Sequence, residues 1–125
     1  MAYKPSGYTS VAPYLLIADA EVTLRFIERV FAGQRLRVIP REDGGTRHAE
    51  IRIDDTVVMM GEAPGAPAAN VHVYVPDIDA TFAKAIAAGG EVVHAIAEQG
   101  DGDRRGGVKD PGGTVWWIST QLPKR

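Results

Sequence analysis

Residues 17–24 read IADAEVTL and residues 75–82 read VPDIDATF, two versions of one pattern. Asp77, in the second version, lies 58 positions after Asp19 in the first. The same displacement relates a further pair of segments, DTVVM at residues 55–59 and GTVWW at residues 113–117. Because one displacement relates two separate pairs of segments, the chain is predicted to contain two copies of one supersecondary unit.

The length of 125 residues predicts a single domain, residues 1–125, with internal units at about 8–62 and 70–120. A unit of this size buries too little of its own surface to be stable alone. We therefore expect the two units to share a core, either within one chain or across a dimer.

Charge and cysteine content exclude several classes of function. The net charge is −2 and there is no cysteine. We therefore expect no nucleic-acid partner, no disulfide and no thiol catalysis.

The first residues lack the apolar core of a signal peptide, and no apolar run reaches the ~20 residues that span a membrane. The sequence predicts a cytoplasmic protein with no membrane partner.

Each half of the chain shows the element order β-α-β-β-β. Asp19 lies where a helix N-cap is expected, and Gly33 is predicted to close the same helix. The predicted strands and helix of the first half are 8–17, 20–31 (helix), 35–40, 46–53 and 56–61. Those of the second half are 70–75, 78–88 (helix), 91–97, a short strand near Val108, and 114–120. Residues 100–107 are predicted to form a glycine-rich turn, in which Asp103 and Arg104 form an ion pair.

Local motifs within these units carry a family resemblance. They are PYL at residues 13–15, HAEIRI at 48–53, HVYV at 72–75, GDR at 102–104 and DPGG at 110–113, the last followed by Trp116. Together with the doubled βαβββ order, they resemble the PhnB-like branch of the vicinal oxygen chelate superfamily of glyoxalases, bleomycin-resistance proteins and dioxygenases. The resemblance covers nearly the whole chain. It implies an α+β fold, in which two tandem βαβββ units form a curved, barrel-like mixed sheet with the helices outside.

The resemblance also implies where a metal would be held. Metal-using members take one ligand from the first and one from the fourth strand of each unit. Those positions fall here on Ala12, Met59, Asn70 and Trp117. Alanine has no donor atom, tryptophan offers only an N–H, methionine suits soft metals, and a lone asparagine is a weak ligand. We therefore expect no metal and no other cofactor.

The lining of the implied cavity follows from strand alternation, since residues i and i+2 share a face. The apolar residues Ala49, Ile51 and Ile53 are expected under the helices, which leaves the alternate side chains on the concave face. Of the adjacent Trp116 and Trp117, one is expected in the core and one in the cavity. The predicted lining is Tyr14, His48, Glu50, Met59, His72, Tyr74 and Trp117.

Roles within this lining divide into catalysis and contact. Glu50 and His72 are the candidate catalytic residues, as groups able to position a ligand or move protons. The candidate ligand-binding residues are Tyr14, His48, Met59, Tyr74 and Trp117. The alternative for His72 is a hydrogen-bonded interior histidine. For His48 and Glu50, the alternative is a solvated strand face or a cross-strand ion pair.

Three functions are compatible with this pattern. The first is a metal-independent protein that binds a small organic molecule between aromatic walls, with Glu50 and His72 positioning the molecule or moving protons. The second is a non-catalytic drug-binding or resistance protein. The third, disfavoured by the ligand positions, is a divalent-metal lyase or dioxygenase with a site rebuilt from His48, Glu50 and His72. We also expect a homodimer, because an open curved sheet leaves edges and an apolar face to be covered.

Overall fold

The computed structural model describes residues 3–98 and 100–123, and it has the predicted α+β architecture of two consecutive βαβββ units. The elements of the first unit are β1 (Tyr14–Ile17), α1 (Ala20–Phe31), β2 (Gln34–Pro40), β3 (Thr46–Ile53) and β4 (Thr56–Glu62). The elements of the second unit are β5 (Asn70–Tyr74), α2 (Ile78–Ala87), β6 (Glu91–Glu98), β7 (Asp103–Lys109) and β8 (Val115–Gln121).

Each unit forms its own four-stranded mixed sheet. The strand orders are β1-β4-β3-β2 and β5-β8-β7-β6, with the first strand of each unit parallel to the last and the other pairs antiparallel. Tyr14 lies opposite Met59 in the first sheet, and His72 lies opposite Trp117 in the second. The 58-residue displacement therefore holds in the strand register as well as in the sequence.

The two helices begin where the repeated aspartates predict. Asp19 accepts hydrogen bonds from the backbone N–H groups of Glu21 and Val22 in the first turn of α1, and Asp77 accepts one from Ala80 in the first turn of α2. Gly33 follows the end of α1 as predicted and its backbone N–H donates to the carbonyl of Ile27 at 3.2 Å, but the left-handed conformation (φ 53°) is taken by Ala32. Gly33 is required for a different reason: a Cβ there would lie 2.6 Å from Cγ2 of Ile27.

One core joins the two units, as their size requires. Each helix packs on its own sheet, the helices contact each other, and the buried apolar side chains of both units form a single cluster. Ala49 and Ile51 are fully buried, whereas His48 lies on the other face of β3. Trp116 is also fully buried, against the ring of Phe31 at a centroid distance of 5.0 Å. We call the other face of each sheet, over which no helix packs, its uncovered face.

The first strand is shorter than predicted. Residues 8–12 form no strand and β1 begins at Tyr14, although the carbonyl of Pro13 already accepts from the backbone N–H of Met59 at 2.9 Å. A turn in which the backbone N–H of Tyr8 donates to Pro5, after Gly7 at φ 83°, redirects the chain before Pro13. Tyr8 then lies over β3, where its hydroxyl donates to Glu50.

The segment predicted as a glycine-rich turn is largely strand β7. Its glycines accommodate aromatic rings: a Cβ on Gly106 would lie 2.5 Å from Cε1 of Phe82, and one on Gly107 would lie 2.7 Å from Cζ3 of Trp117. Composition alone suggested a turn, but close packing from both faces explains why these strand positions carry no side chain.

The expected ion pair between Asp103 and Arg104 is also wrong. Consecutive residues of a strand point to opposite faces, so the two side chains cannot face each other. Arg104 instead pairs with Asp79 at 2.8 Å, and Asp103 accepts a hydrogen bond from Tyr74.

Neither helix in the described part of the chain is long and apolar enough to cross a membrane.

Candidate functional site

A hydrogen-bonded chain of four side chains lies on the uncovered face of the first sheet. His48 Nε2 is 2.8 Å from Oε2 of Glu50, and His48 Nδ1 is 3.2 Å from the hydroxyl of Tyr14. The other oxygen of Glu50 accepts from Tyr8. We call these four residues the first-sheet cluster. Strand β3 places His48 and Glu50 two residues apart on one face, and β1, on the other side of β4, supplies Tyr14.

The electrostatics of the first-sheet cluster are set by Glu50, which is only 5% exposed. Burial by itself raises the pKa of Glu50, but hydrogen bonds from Tyr8 and His48, with the nearby charge of Arg37, bring that pKa below its ordinary value. The hydrogen bond to this carboxylate raises the pKa of Tyr8. At neutral pH the cluster therefore contains an ionised Glu50 and a protonated Tyr8.

A separate cavity of about 270 Å³ lies on the second sheet. It is lined by His72, His94, Arg105 and Trp117, and we call it the second-sheet pocket. The indole of Trp117 lies against Gly107, and its ring centroid is 6.2 Å from that of His94. Large aromatic walls with a few polar groups are typical of sites for small organic molecules.

Hydrogen bonds fix the polar groups around the second-sheet pocket. His72 Nε2 is 2.9 Å from the hydroxyl of the buried Ser119, and its ring lies edge-on to Tyr74. The hydroxyl of Tyr74 donates to Asp103 at 2.8 Å, and that hydrogen bond raises the pKa of Tyr74. Arg105 pairs with Asp101 beside the same pocket.

The predicted lining is divided between the two uncovered faces. Tyr14, His48, Glu50 and Met59 belong to the first sheet, and His72, Tyr74 and Trp117 belong to the second. No hydrogen bond, ion pair or ring contact among residues 3–98 and 100–123 joins the two groups. The proposed catalytic partners Glu50 and His72 are thus on different sheets, and the histidine that contacts Glu50 is His48.

The family's metal positions do not offer a ligand set. Asn70 directs its side-chain oxygen to the indole N–H of Trp117 at 3.0 Å, so two of the four positions bond to each other. Ala12 has no donor, and Met59 has only a thioether. Within the described ranges, no three histidine, aspartate or glutamate side chains lie close enough together to hold a metal ion. The residues present do not fit a divalent-metal site.

Sequence reasoning missed three residues that contribute to these faces. The sequence predicts a strand at Tyr8, whereas its hydroxyl reaches Glu50 across 42 positions of sequence. His94 and Arg105 line the second-sheet pocket. Strand alternation, which places Asp103, Arg105 and Gly107 on one face of β7, was the signal in the sequence for this part of the pocket. The glycines instead led to the prediction of a turn.

The fold and these two faces define a protein of the vicinal oxygen chelate type. The family model described as Glyoxalase/Bleomycin resistance protein/Dioxygenase superfamily matches residues 9–118, and the chain belongs to this family.

Individual proteins show the same relationship. The uncharacterized protein Mb0911c of Mycobacterium bovis is 32% identical over 121 residues, covering 86% of this chain and 80% of that protein. TioX from Micromonospora sp. ML1 is 25% identical, with a TM-score of 0.71 over 94% of this chain and 99% of that chain. The PhnB protein of Bacillus cereus shares the fold at 16% identity, with a TM-score of 0.66 over 90% of this chain and 99% of that chain.

Proposed function

We propose that this protein binds a small planar organic molecule in the second-sheet pocket, without a metal. The observation that carries the proposal is the position of Trp117, whose indole lines a cavity of about 270 Å³ beside His72, His94 and Arg105. A partly exposed indole in a cavity offers a large stacking surface, and the polar groups around it can orient a ligand.

The charges beside the pocket favour a ligand without strong negative charge. Arg105 pairs with Asp101, and its guanidinium is 3.8 Å from a carboxylate oxygen of Asp103. These two carboxylates outweigh the single cation. Stacking on Trp117 is therefore expected to supply most of the binding free energy, with hydrogen bonds setting orientation.

A thermal-shift screen of planar aromatic compounds, followed by calorimetric titration of the hits, tests this proposal. Trp117→Ala is expected to weaken binding at least about tenfold, as loss of a central aromatic anchor does. Ile86→Ala is the matched control, because Ile86 is an exposed apolar residue on helix α2. Hits that bind equally well to the wild type and to Trp117→Ala would place the ligand elsewhere.

Sequestration of a compound without turnover is the simplest form of this function, and it agrees with the drug-binding hypothesis from the sequence. Native mass spectrometry of freshly purified protein is the direct measurement, since a tightly held compound co-purifies with its binder.

We also propose membership of the PhnB-like branch. Its support is the group of motifs at residues 48–53, 102–104 and 110–113, together with the fold shared with the Bacillus cereus protein.

A further inference from the structure

The three side chains Glu50, His48 and Tyr14 form a directed line. Glu50 Oε2 is 2.8 Å from His48 Nε2, and His48 Nδ1 is 3.2 Å from the Tyr14 hydroxyl. We propose that they act as a proton-transfer triad, in which Tyr14 is a nucleophile toward small activated acyl compounds, His48 is its general base and Glu50 is a positioning residue. This activity lies on the first sheet and does not depend on ligand binding in the second-sheet pocket.

The hydrogen-bond partners determine the direction of proton transfer. An ionised Glu50 can only accept, and it already accepts from Tyr8 through its other oxygen. The proton of neutral His48 must therefore be on Nε2, where it donates to Glu50. Nδ1 then carries a lone pair directed at Tyr14. A nucleophile, a base in hydrogen-bond reach and a third group that orients the base are the parts that activate a hydroxyl.

The acyl-transfer step balances with these groups alone. The oxygen of Tyr14 attacks the carbonyl carbon of an ester, and the phenolic proton moves to Nδ1 of His48. The new bond joins the Tyr14 oxygen to the acyl carbon, and the bond from that carbon to the leaving oxygen breaks. The leaving group departs as an anion or takes the proton from His48. Glu50 stabilises the transient imidazolium, and nothing is oxidised or reduced.

Two observations distinguish this arrangement from a purely structural network. The side chain of Tyr14 is half exposed, so a small molecule can approach its ring and hydroxyl. The triad is also absent from the related unit, although the backbone repeats. Glu50 and Tyr14 both lie opposite Met59 in the first sheet. Gly107 and His72 both lie opposite Trp117 in the second sheet, so Gly107 corresponds to Glu50 and His72 corresponds to Tyr14.

The other tyrosines serve as internal controls. The chain has four tyrosines, and the hydroxyls of Tyr8 and Tyr74 donate to carboxylates, which keeps them protonated. Tyr3 is 88% exposed and has no base in hydrogen-bond reach among the described residues. If exposure alone controlled reactivity, Tyr3 would react faster than Tyr14.

The test is acetylation of the full chain by 4-nitrophenyl acetate, with peptide mapping by mass spectrometry to obtain a rate for each tyrosine. We expect Tyr14 to react at least about a hundredfold faster than Tyr3, which is the low end of general-base assistance. His48→Gln and Glu50→Gln should lower the Tyr14 rate to that of Tyr3. Glu42→Gln, an exposed glutamate outside the cluster, should leave it unchanged.

The wild-type comparison of Tyr14 with Tyr3 tests the proposal even if a variant fails to fold. Equal wild-type rates overturn it, and so does a fast Tyr14 rate that survives His48→Gln in a folded protein. Nitrogen-15 NMR provides a second measurement, with His48 expected as the Nε2–H tautomer in the wild type and as a mixture of tautomers in Glu50→Gln. The opposite tautomer in the wild type would contradict the direction of transfer.

Discussion

The indole N–H of Trp117 donates a hydrogen bond to the side-chain oxygen of Asn70 at 3.0 Å. These residues occupy two of the four positions at which metal-using relatives are expected to carry ligands. A donor N–H cannot coordinate a cation, and the one oxygen available is engaged by that N–H. In the second unit these two positions therefore form an internal hydrogen bond, which holds the pocket wall.

We predict that the protein carries no stoichiometric catalytic metal. Loss of donors at several of the four positions leaves too few ligands for Zn²⁺, which needs three or four convergent N, O or S atoms. Elemental analysis of protein purified without chelator and without a nickel column is the measurement. Near one equivalent of Zn, Ni, Mn or Fe, lost together with activity on adding chelator, would refute the prediction.

The adjacent tryptophans are predicted to differ in their effect on stability. Trp116 is fully buried, contacts Phe31 and donates its N–H to the buried Asp110 at 2.8 Å. Trp116→Ala should lower the free energy of unfolding by roughly 3–5 kcal/mol, as removal of a buried aromatic side chain does. Trp117→Ala should cost clearly less, since its ring is only partly buried. Urea denaturation of both variants gives the comparison, and equal losses would contradict it.

Glu62 is predicted to make stability depend on acid pH. Its carboxylate accepts backbone hydrogen bonds from Ala20 at 2.8 Å and Thr46 at 2.9 Å, and these bonds, with the nearby Arg41, lower the pKa of Glu62. A lowered folded-state pKa means that the stabilisation is complete above the unfolded value of about 4.3 and is lost as the pH falls toward the folded value.

The variant Glu62→Gln tests this pH dependence. It should lose about 1–3 kcal/mol at pH 7, because the hydrogen bonds to a charged acceptor become weaker. Its stability should also fall less steeply than that of the wild type below about pH 4. Glu42→Gln is the matched control. Parallel stability curves for the wild type and Glu62→Gln through the acid range would show that Glu62 is not the responsible group.

The face of the strand on which each side chain lies was the feature of the site that the sequence predicted best. The apolar Ala49 and Ile51 fixed the orientation of β3, and this placed His48 and Glu50 on the uncovered face as expected. The relation between the two sheets could not be read in this way. Alternation orients each strand within its own sheet, whereas the division of the lining between two faces depends on how both units pack around the shared core.

Contacts between distant segments were the other part that the sequence did not predict. The position of Tyr8 depends on a turn at Gly7 and on a carboxylate 42 residues away, and neither leaves a periodic pattern. The glycines of β7 were misleading for a related reason. Composition predicts a turn at Gly106 and Gly107, but rings contributed by α2 and β8 select glycine there.

We predict that the protein is a homodimer. The uncovered face of the second sheet carries partly exposed apolar side chains, including Tyr74 and Val93. Apolar groups gathered on an open sheet are typical of protein interfaces. Light scattering at micromolar concentration should give twice the chain mass, and Val93→Glu should shift the population toward monomer. Ile86→Glu, on the outer surface of α2, is the control and should not. A monomer mass for the wild type would refute the prediction.

The neighbouring glycines of β7 allow the role of Trp117 to be separated from general destabilisation. A Cβ on Gly107 would lie 2.7 Å from Cζ3 of Trp117, whereas a Cβ on Gly106 would lie 2.5 Å from Cε1 of Phe82 on the opposite face. Gly107→Ala and Gly106→Ala should therefore both lower stability, by roughly 1–3 kcal/mol each, the usual cost of overpacking.

Only Gly107→Ala should move the indole. We predict that it shifts the fluorescence emission of Trp117, recorded in a Trp116→Phe background, and weakens binding of any planar ligand found by the screen. Gly106→Ala in the same background should lose stability without either effect, because its clash is with a core ring. If both variants weaken binding in proportion to their lost stability, the pocket depends on the overall rigidity of β7 and not on the position of Trp117.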